Sequence, residues 1–129
     1  MTDGAGILTL DEVLQIHRDQ IERYGGTLGV RDFGLLDSAI AQPAARFGGQ
    51  YLHADVWDMA AAYLFHLALN HPFFDGNKRA AVAAALTFMT LNDVDFSFPE
   101  EEIAEFVLQG AQGQIEKPEI AAYFKSRAK

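Results

Sequence analysis

The chain has 129 residues, half of them hydrophobic, which is the size and apolar content of one domain, residues 1–129, with a single substantial core. It contains no cysteine, so disulfides, thiolate chemistry and cysteine-ligated zinc are excluded. The formal net charge of −8 repels nucleic acid unless bases gather on one face, and the local pair Lys78-Arg79 lies in an otherwise apolar stretch, so an anion bound there is expected to be small and not polymeric.

At the amino terminus, Met1-Thr2-Asp3-Gly4 carries an acid where a signal peptide needs bases, and no apolar run approaches the roughly 18 residues that span a bilayer. A soluble cytoplasmic protein with no membrane association is the expectation. Thr9-Leu-Asp-Glu12 has the spacing of a capping box, and Leu10, Val13, Leu14, His17, Ile21 and Tyr24 follow at helical intervals until Gly25-Gly26. A second, shorter helix is predicted from about Asp32, turning Leu35, Leu36, Ala39 and Ile40 inward until Pro43 stops it. Residues 44–54, with Phe47-Gly48-Gly49, read as a mobile loop or a short hairpin.

Asp55 can cap a third helix reaching about Asn70, and Asp75 or Asn77 can cap a fourth reaching about Asn92. Both are apolar nearly all round; between Ala80 and Leu91 only Thr87 and Thr90 are polar, the pattern of a helix at the centre of a bundle. Val94 to Phe98 alternates briefly like a strand, and Pro99 and Pro118 each stand where the first position of a helix favours proline. The fold class predicted is therefore all-α, a bundle of about six helices with no internal repeat or linker.

Chemistry concentrates in His71-Pro-Phe-Phe-Asp-Gly-Asn-Lys-Arg79, the connection between the two most apolar helices. Backbone N–H groups at a helix start are unpaired and the helix dipole favours negative charge there, so Gly76-Asn77 is a ready anion cradle, which a glycine lets a ligand approach closely. Lys78 and Arg79 oppose that dipole by roughly 0.3–1 kcal/mol each. A bound polyphosphate would offset this cost, with Arg79 gripping two oxygens and Lys78 acting as a point charge; the alternative is that both side chains simply reach solvent. Asp75 is either a magnesium carboxylate or a plain helix cap. His71, turned out of helical geometry by Pro72, is either a general base or a hydrogen-bonded loop histidine. Phe73 and Phe74 are expected to pack into the core and stiffen the loop. Each reading alone is weak, but a base, a carboxylate, a cradle and two cations within nine residues form a coherent set.

Two other constellations carry less. His66, His71 and Asp75 lack the His-Glu-x-x-His order, and His66 lies on an apolar helix where a satisfied core histidine is common. Ser38 has no evident histidine and acid partners.

The stretch from His71 to Arg79 resembles the signature of Fic/Doc proteins, His-x-Phe-x-Asp/Glu-Gly/Ala-Asn-x-Arg, with every specified position filled. Arg31-Asp-Phe-Gly-Leu-Leu-Asp-Ser-Ala-Ile40 and Phe47-Gly48-Gly49 are similar to the death-on-curing (Doc) branch, so the likeness runs from about residue 7 to 125. It implies a Fic/Doc-type helical bundle with a short flap before the third helix. It implies His71 as the base on an acceptor hydroxyl, Asp75 as magnesium ligand, Gly76 and Asn77 as anion cradle with Lys78 beside them, Arg79 as phosphate clamp, and Phe47 to Leu52, with Gly48 and Gly49, as the flap that aligns the target chain. Fic members usually transfer AMP from ATP to a Ser, Thr or Tyr hydroxyl. The Doc branch resembles a kinase, the toxin of a toxin–antitoxin pair that phosphorylates elongation factor Tu and blocks translation.

Lys78 stands where the AMP-transferring pattern has glycine, and Val82 where it has a second arginine; both departures point towards Doc and phosphoryl transfer. A self-inhibiting motif Ser/Thr-x-x-x-Glu-Gly/Asn is nearest at Ser97 to Glu101, but Glu102 follows where Gly or Asn is required, so restraint is expected from a separate antitoxin chain. AMP transfer and a non-catalytic nucleotide-binding module are the alternative readings.

Overall fold

The first capping box forms as its spacing requires. In the computed structural model, which describes residues 7–51, 53, 55–95, 102–103, 105–106 and 115–128, Thr9 Oγ1 accepts from the Glu12 amide at 3.2 Å and Glu12 Oε1 accepts from the Thr9 amide at 2.8 Å. Helix α1, Leu10–Tyr24, starts there and stops where the Gly25 amide donates to Ile21 O, Gly25 having a φ of +86°. Helix α2, Phe33–Ala41, is capped by Asp32, whose Oδ1 accepts from the Leu35 amide. It buries Leu36 and Ala39, with Leu35 and Ile40 half-buried, and passes into a 3-10 turn, Gln42–Ala44, that contains the buried Pro43.

The segment before the third helix is a hairpin, Arg46–Phe47 (β1) against Gln50–Tyr51 (β2), antiparallel with Phe47 opposite Gln50. Gly48 and Gly49 supply the two positive φ values, +61° and +83°, that so tight a reversal needs. Leu52, at the end of the expected flap, lies outside the described residues.

Helix α3, Val56–Asn70, begins at Asp55, whose Oδ1 accepts from the Asp58 amide, and helix α4 runs Asn77–Leu91. These two form the centre. Ala60, Ala61 and Ala62 on one and Ala80, Ala81, Ala84 and Ala85 on the other are buried, so small side chains let the backbones approach closely while Tyr63, Leu64, Leu67, Phe88 and Met89 fill the space beside them. Each large buried side chain contributes about 1.5–3 kcal/mol. Tyr63 is fully buried with a partner: its hydroxyl accepts from the Leu8 amide at 2.9 Å, and burial pushes its pKa up to about 12. Helix α1 packs on α4, and α2 on α3.

Helix α5, Lys117–Arg127, lays Ile120, Ala121 and Phe124 against α3. Its cap is Glu116, whose amide donates to Glu119 Oε1 at 2.9 Å, and Pro118 is its second residue, one place later than expected. Residues 102, 103, 105 and 106 are helical, near where the sequence places a helix after Pro99, and they are tied to α5 by Glu102 bonding to Arg127 and to Tyr123 Oη. Five α-helices plus this helical stretch make the described part all-α apart from the hairpin. Val94 and Asp95 form no strand; 96–98 and Pro99 lie outside the described residues. Among the described residues no helix is long and apolar enough to cross a membrane.

Candidate active site

A proline after a helix denies it the usual amide-capped ending. Pro72 disfavours right-handed geometry at His71 and brings no N–H of its own to close the last turn of α3. His71 is left-handed, φ +52° and ψ +52°, a conformation that costs a non-glycine residue on the order of 1–3 kcal/mol. The exposed carbonyls at this helix end are met by Arg31: its Nε and an Nη donate to His71 O at 2.9 and 2.6 Å, and the same Nη donates to Asn70 O at 3.2 Å. A cation is also what the negative end of a helix dipole favours.

The loop that follows is held along its length by the segment after α1. The Arg31 and Asp32 amides donate to Pro72 O at 2.7 and 3.1 Å, Val30 bridges to Phe73, and the Phe74 amide donates to Gly29 O. Asp75 Oδ2 accepts from the Thr27 amide at 3.0 Å. From α1, buried His17 stacks on the Phe73 ring with centroids 3.7 Å apart and donates through Nε2 to Asp75 O at 2.7 Å. Burial holds the His17 pKa below the usual histidine value, against the raising effect of Asp75, and so favours the neutral ring, and the carbonyl fixes a proton on Nε2.

Gly76, and neither Asp75 nor Asn77, is the N-cap of α4, with no side-chain cap bond. The two expected caps are engaged elsewhere: Asp75 with Thr27, and buried Asn77 with both the amide and the carbonyl of Phe73, at 2.9 and 3.0 Å. Gly76 has a φ of +74°, a conformation that calls for glycine, and a Cβ there would stand 3.1 Å from the Ile21 Cδ1 tip of α1, close enough to make that side chain shift. The first i→i−4 bond of α4 runs from the Ala80 amide to Gly76 O, which leaves the Asn77, Lys78 and Arg79 amides as the free donors of the helix start.

His71, Phe74, Asp75, Gly76, Asn77, Lys78 and Arg79 line one open cavity of about 240 Å³. The structure thus brings together each residue that the sequence marks as base, carboxylate, cradle or cation. Phe73 is fully buried as expected, but Phe74 is 59% exposed: its ring lies across Gly29, where an added Cβ would come within 3.2 Å, and faces the cavity instead of the core. Val82 is buried in the core and takes no part in the lining. Gly48 and Gly49, at the exposed hairpin tip, are not part of it either. His66 is half-buried and bonded to Lys117 Nζ at 2.9 Å, and Ser38 is exposed on α2.

The donor set fits magnesium. Asp75 is an exposed carboxylate with one oxygen committed to an amide, beside a helix start suited to phosphate, and one carboxylate completed by phosphate oxygens and water is a usual magnesium arrangement. Among the described residues no three carboxylate or imidazole side chains converge into a protein-only metal cage.

The Fic/DOC family model matches residues 7–89. A protein of Escherichia phage P1 named protein kinase doc is 33% identical over 111 residues, covering 86% of each chain. The chain belongs to the Fic/Doc family. It falls on the Doc branch, since the toxin Doc of Mycolicibacterium smegmatis is also similar, 51% identical over 74 residues, a match that covers 57% of each chain. The family match takes in α1 to α4 almost entirely, and with them both the signature loop and the 25–32 segment that holds it. Sequence reading missed the supporting residues Thr27, Arg31 and the buried His17. For the last, a histidine within the apolar stripe of α1 is the available signal; Arg31 stood inside the Doc-like stretch but gave no hint of its partner.

Proposed function

We propose that this chain is the cytoplasmic toxin of a toxin–antitoxin pair, and that it transfers the terminal phosphoryl group of ATP to a hydroxyl of a protein, with elongation factor Tu as the target that family resemblance suggests. The observation that carries the reading is the joint lining of one open cavity by His71, Asp75, the α4 amide terminus, Lys78 and Arg79. The relatives named toxin Doc and protein kinase doc support it.

On this reading the target hydroxyl sits beside His71, which takes its proton as the oxygen attacks the terminal phosphorus. The bond to the bridging oxygen breaks and ADP leaves. The free amides of Asn77, Lys78 and Arg79, with the two cationic side chains, hold the phosphate oxygens and stabilise charge in the transition state. Magnesium, held by Asp75, would neutralise phosphate charge when bound. Lys78 and Val82 favour phosphoryl over AMP transfer: the first is a long cation where the AMP-transferring pattern has glycine, and the second is core packing where that pattern has an arginine.

Growth of a bacterial host expressing the chain tests the toxin reading. Arrest by the wild type and normal growth with His71→Ala support it; equal growth, or equal arrest, contradicts it.

A further inference from the structure

Tyr24 is the last residue of α1 and Arg79 the third of α4, and the packing of those helices sets the Arg79 guanidinium over the Tyr24 ring, 3.9 Å from its centroid. This is within the range of an attractive cation–π contact. We infer that Tyr24 is a positioning residue for phosphate binding, a platform that orients Arg79 toward the cavity. The inference rests on the proposed function only in taking Arg79 to meet phosphate.

The choice of an aromatic partner has a chemical consequence. A carboxylate would hold Arg79 by its in-plane N–H groups and cancel its charge, and those are the donors a phosphate needs. A ring under the guanidinium face restrains the plane of the group and leaves the N–H edges and the charge available. Among the described residues Arg79 has no ion-pair partner. Ordering the side chain in advance also removes part of the rotamer entropy that a long arginine loses on binding. Tyr24 is 46% exposed, so this role does not arise from core packing, and the contact is made by its ring and not its hydroxyl.

Calorimetric titration of ATP with magnesium into the wild type and into Tyr24→Phe, Tyr24→Trp and Tyr24→Leu tests this. Tyr24→Phe stays within about twofold of wild type and Tyr24→Trp binds equally or tighter, while Tyr24→Leu binds about 3- to 30-fold more weakly. In an Arg79→Ala background, Tyr24→Leu produces no further loss. Unchanged binding by Tyr24→Leu, or an equal loss in Tyr24→Phe and Tyr24→Leu, overturns the inference and leaves the proposed function standing. Absence of saturable ATP binding by the wild type overturns both.

Discussion

The guanidinium of Arg31 holds the carbonyl of His71 by two N–H groups, across 40 residues of sequence, at the point where α3 gives way to the signature loop. Because His71 is left-handed there, the clamp offsets a conformational cost as well as completing a helix end. Arg31→Ala is expected to lower stability by about 1–2 kcal/mol and to reduce turnover more than ATP binding, since it frees His71 and leaves the start of α4 in place. Arg31→Lys restores only part, because an ammonium cannot reproduce the two-pronged contact. Denaturant unfolding and steady-state kinetics check both. Unaltered turnover in Arg31→Ala would show that His71 needs no such support.

His71→Ala is expected to lower transfer about 10²- to 10⁴-fold, the usual contribution of a positioned base. The side chain is exposed at the cavity, so helicity and the unfolding midpoint stay near wild type. Circular dichroism separates the two effects. A variant that loses helicity together with activity would make His71 a structural residue.

Asp75→Asn and Arg79→Ala should fail differently. The asparagine can still accept from the Thr27 amide, so the loop persists while the magnesium concentration needed for half-maximal activity rises. Arg79→Ala weakens nucleotide binding at every magnesium concentration. Coincident magnesium titrations for wild type and Asp75→Asn would return Asp75 to the role of a loop anchor.

Three buried or half-buried histidines give the fold a dependence on pH. Burial is the largest cause lowering the pKa of His17, His53 and His66; Lys117 adds to it for the latter two, with Nζ 3.2 and 2.9 Å from their Nε2 atoms, and His66 is brought to about 4. A histidine with a folded pKa below its unfolded value binds more protons unfolded. Its contribution is therefore intact above about pH 6.5 and is lost as the pH falls towards the folded pKa. The unfolding midpoint is expected to drop from pH 7 to pH 5, and less steeply in His66→Leu. A midpoint constant over that interval would mean that these rings are not held neutral.

The helices were legible because their signals are local. Thr9 and Glu12, Asp32, Asp55, and Gly25 act within four residues of themselves, and the apolar character of α3 and α4 puts both at the centre whatever the tertiary detail. The signature loop has no period, so sequence alone did not distinguish buried Phe73 from exposed Phe74. The start of α4 was displaced by one residue because its expected caps have other partners: Asp75 meets Thr27, 48 residues away, and Asn77 turns back on Phe73. The contacts of Arg31 and His17 with the loop likewise span 40 and 58 residues, beyond the reach of any local rule. The cavity lining falls within nine consecutive residues, whereas the residues that hold it in place lie elsewhere in the chain.

On the proposed function, this cavity delivers the terminal phosphoryl group of ATP to a protein hydroxyl. Incubating the purified chain and its His71→Ala variant with a bacterial extract, magnesium, and ATP labelled at either the terminal or the innermost phosphate tests it most directly. Protein-bound label is expected from the terminal phosphate alone, and only with the wild type. Label from the innermost phosphate on protein would contradict it in favour of AMP transfer, and label from neither would leave a nucleotide-binding module without the proposed chemistry.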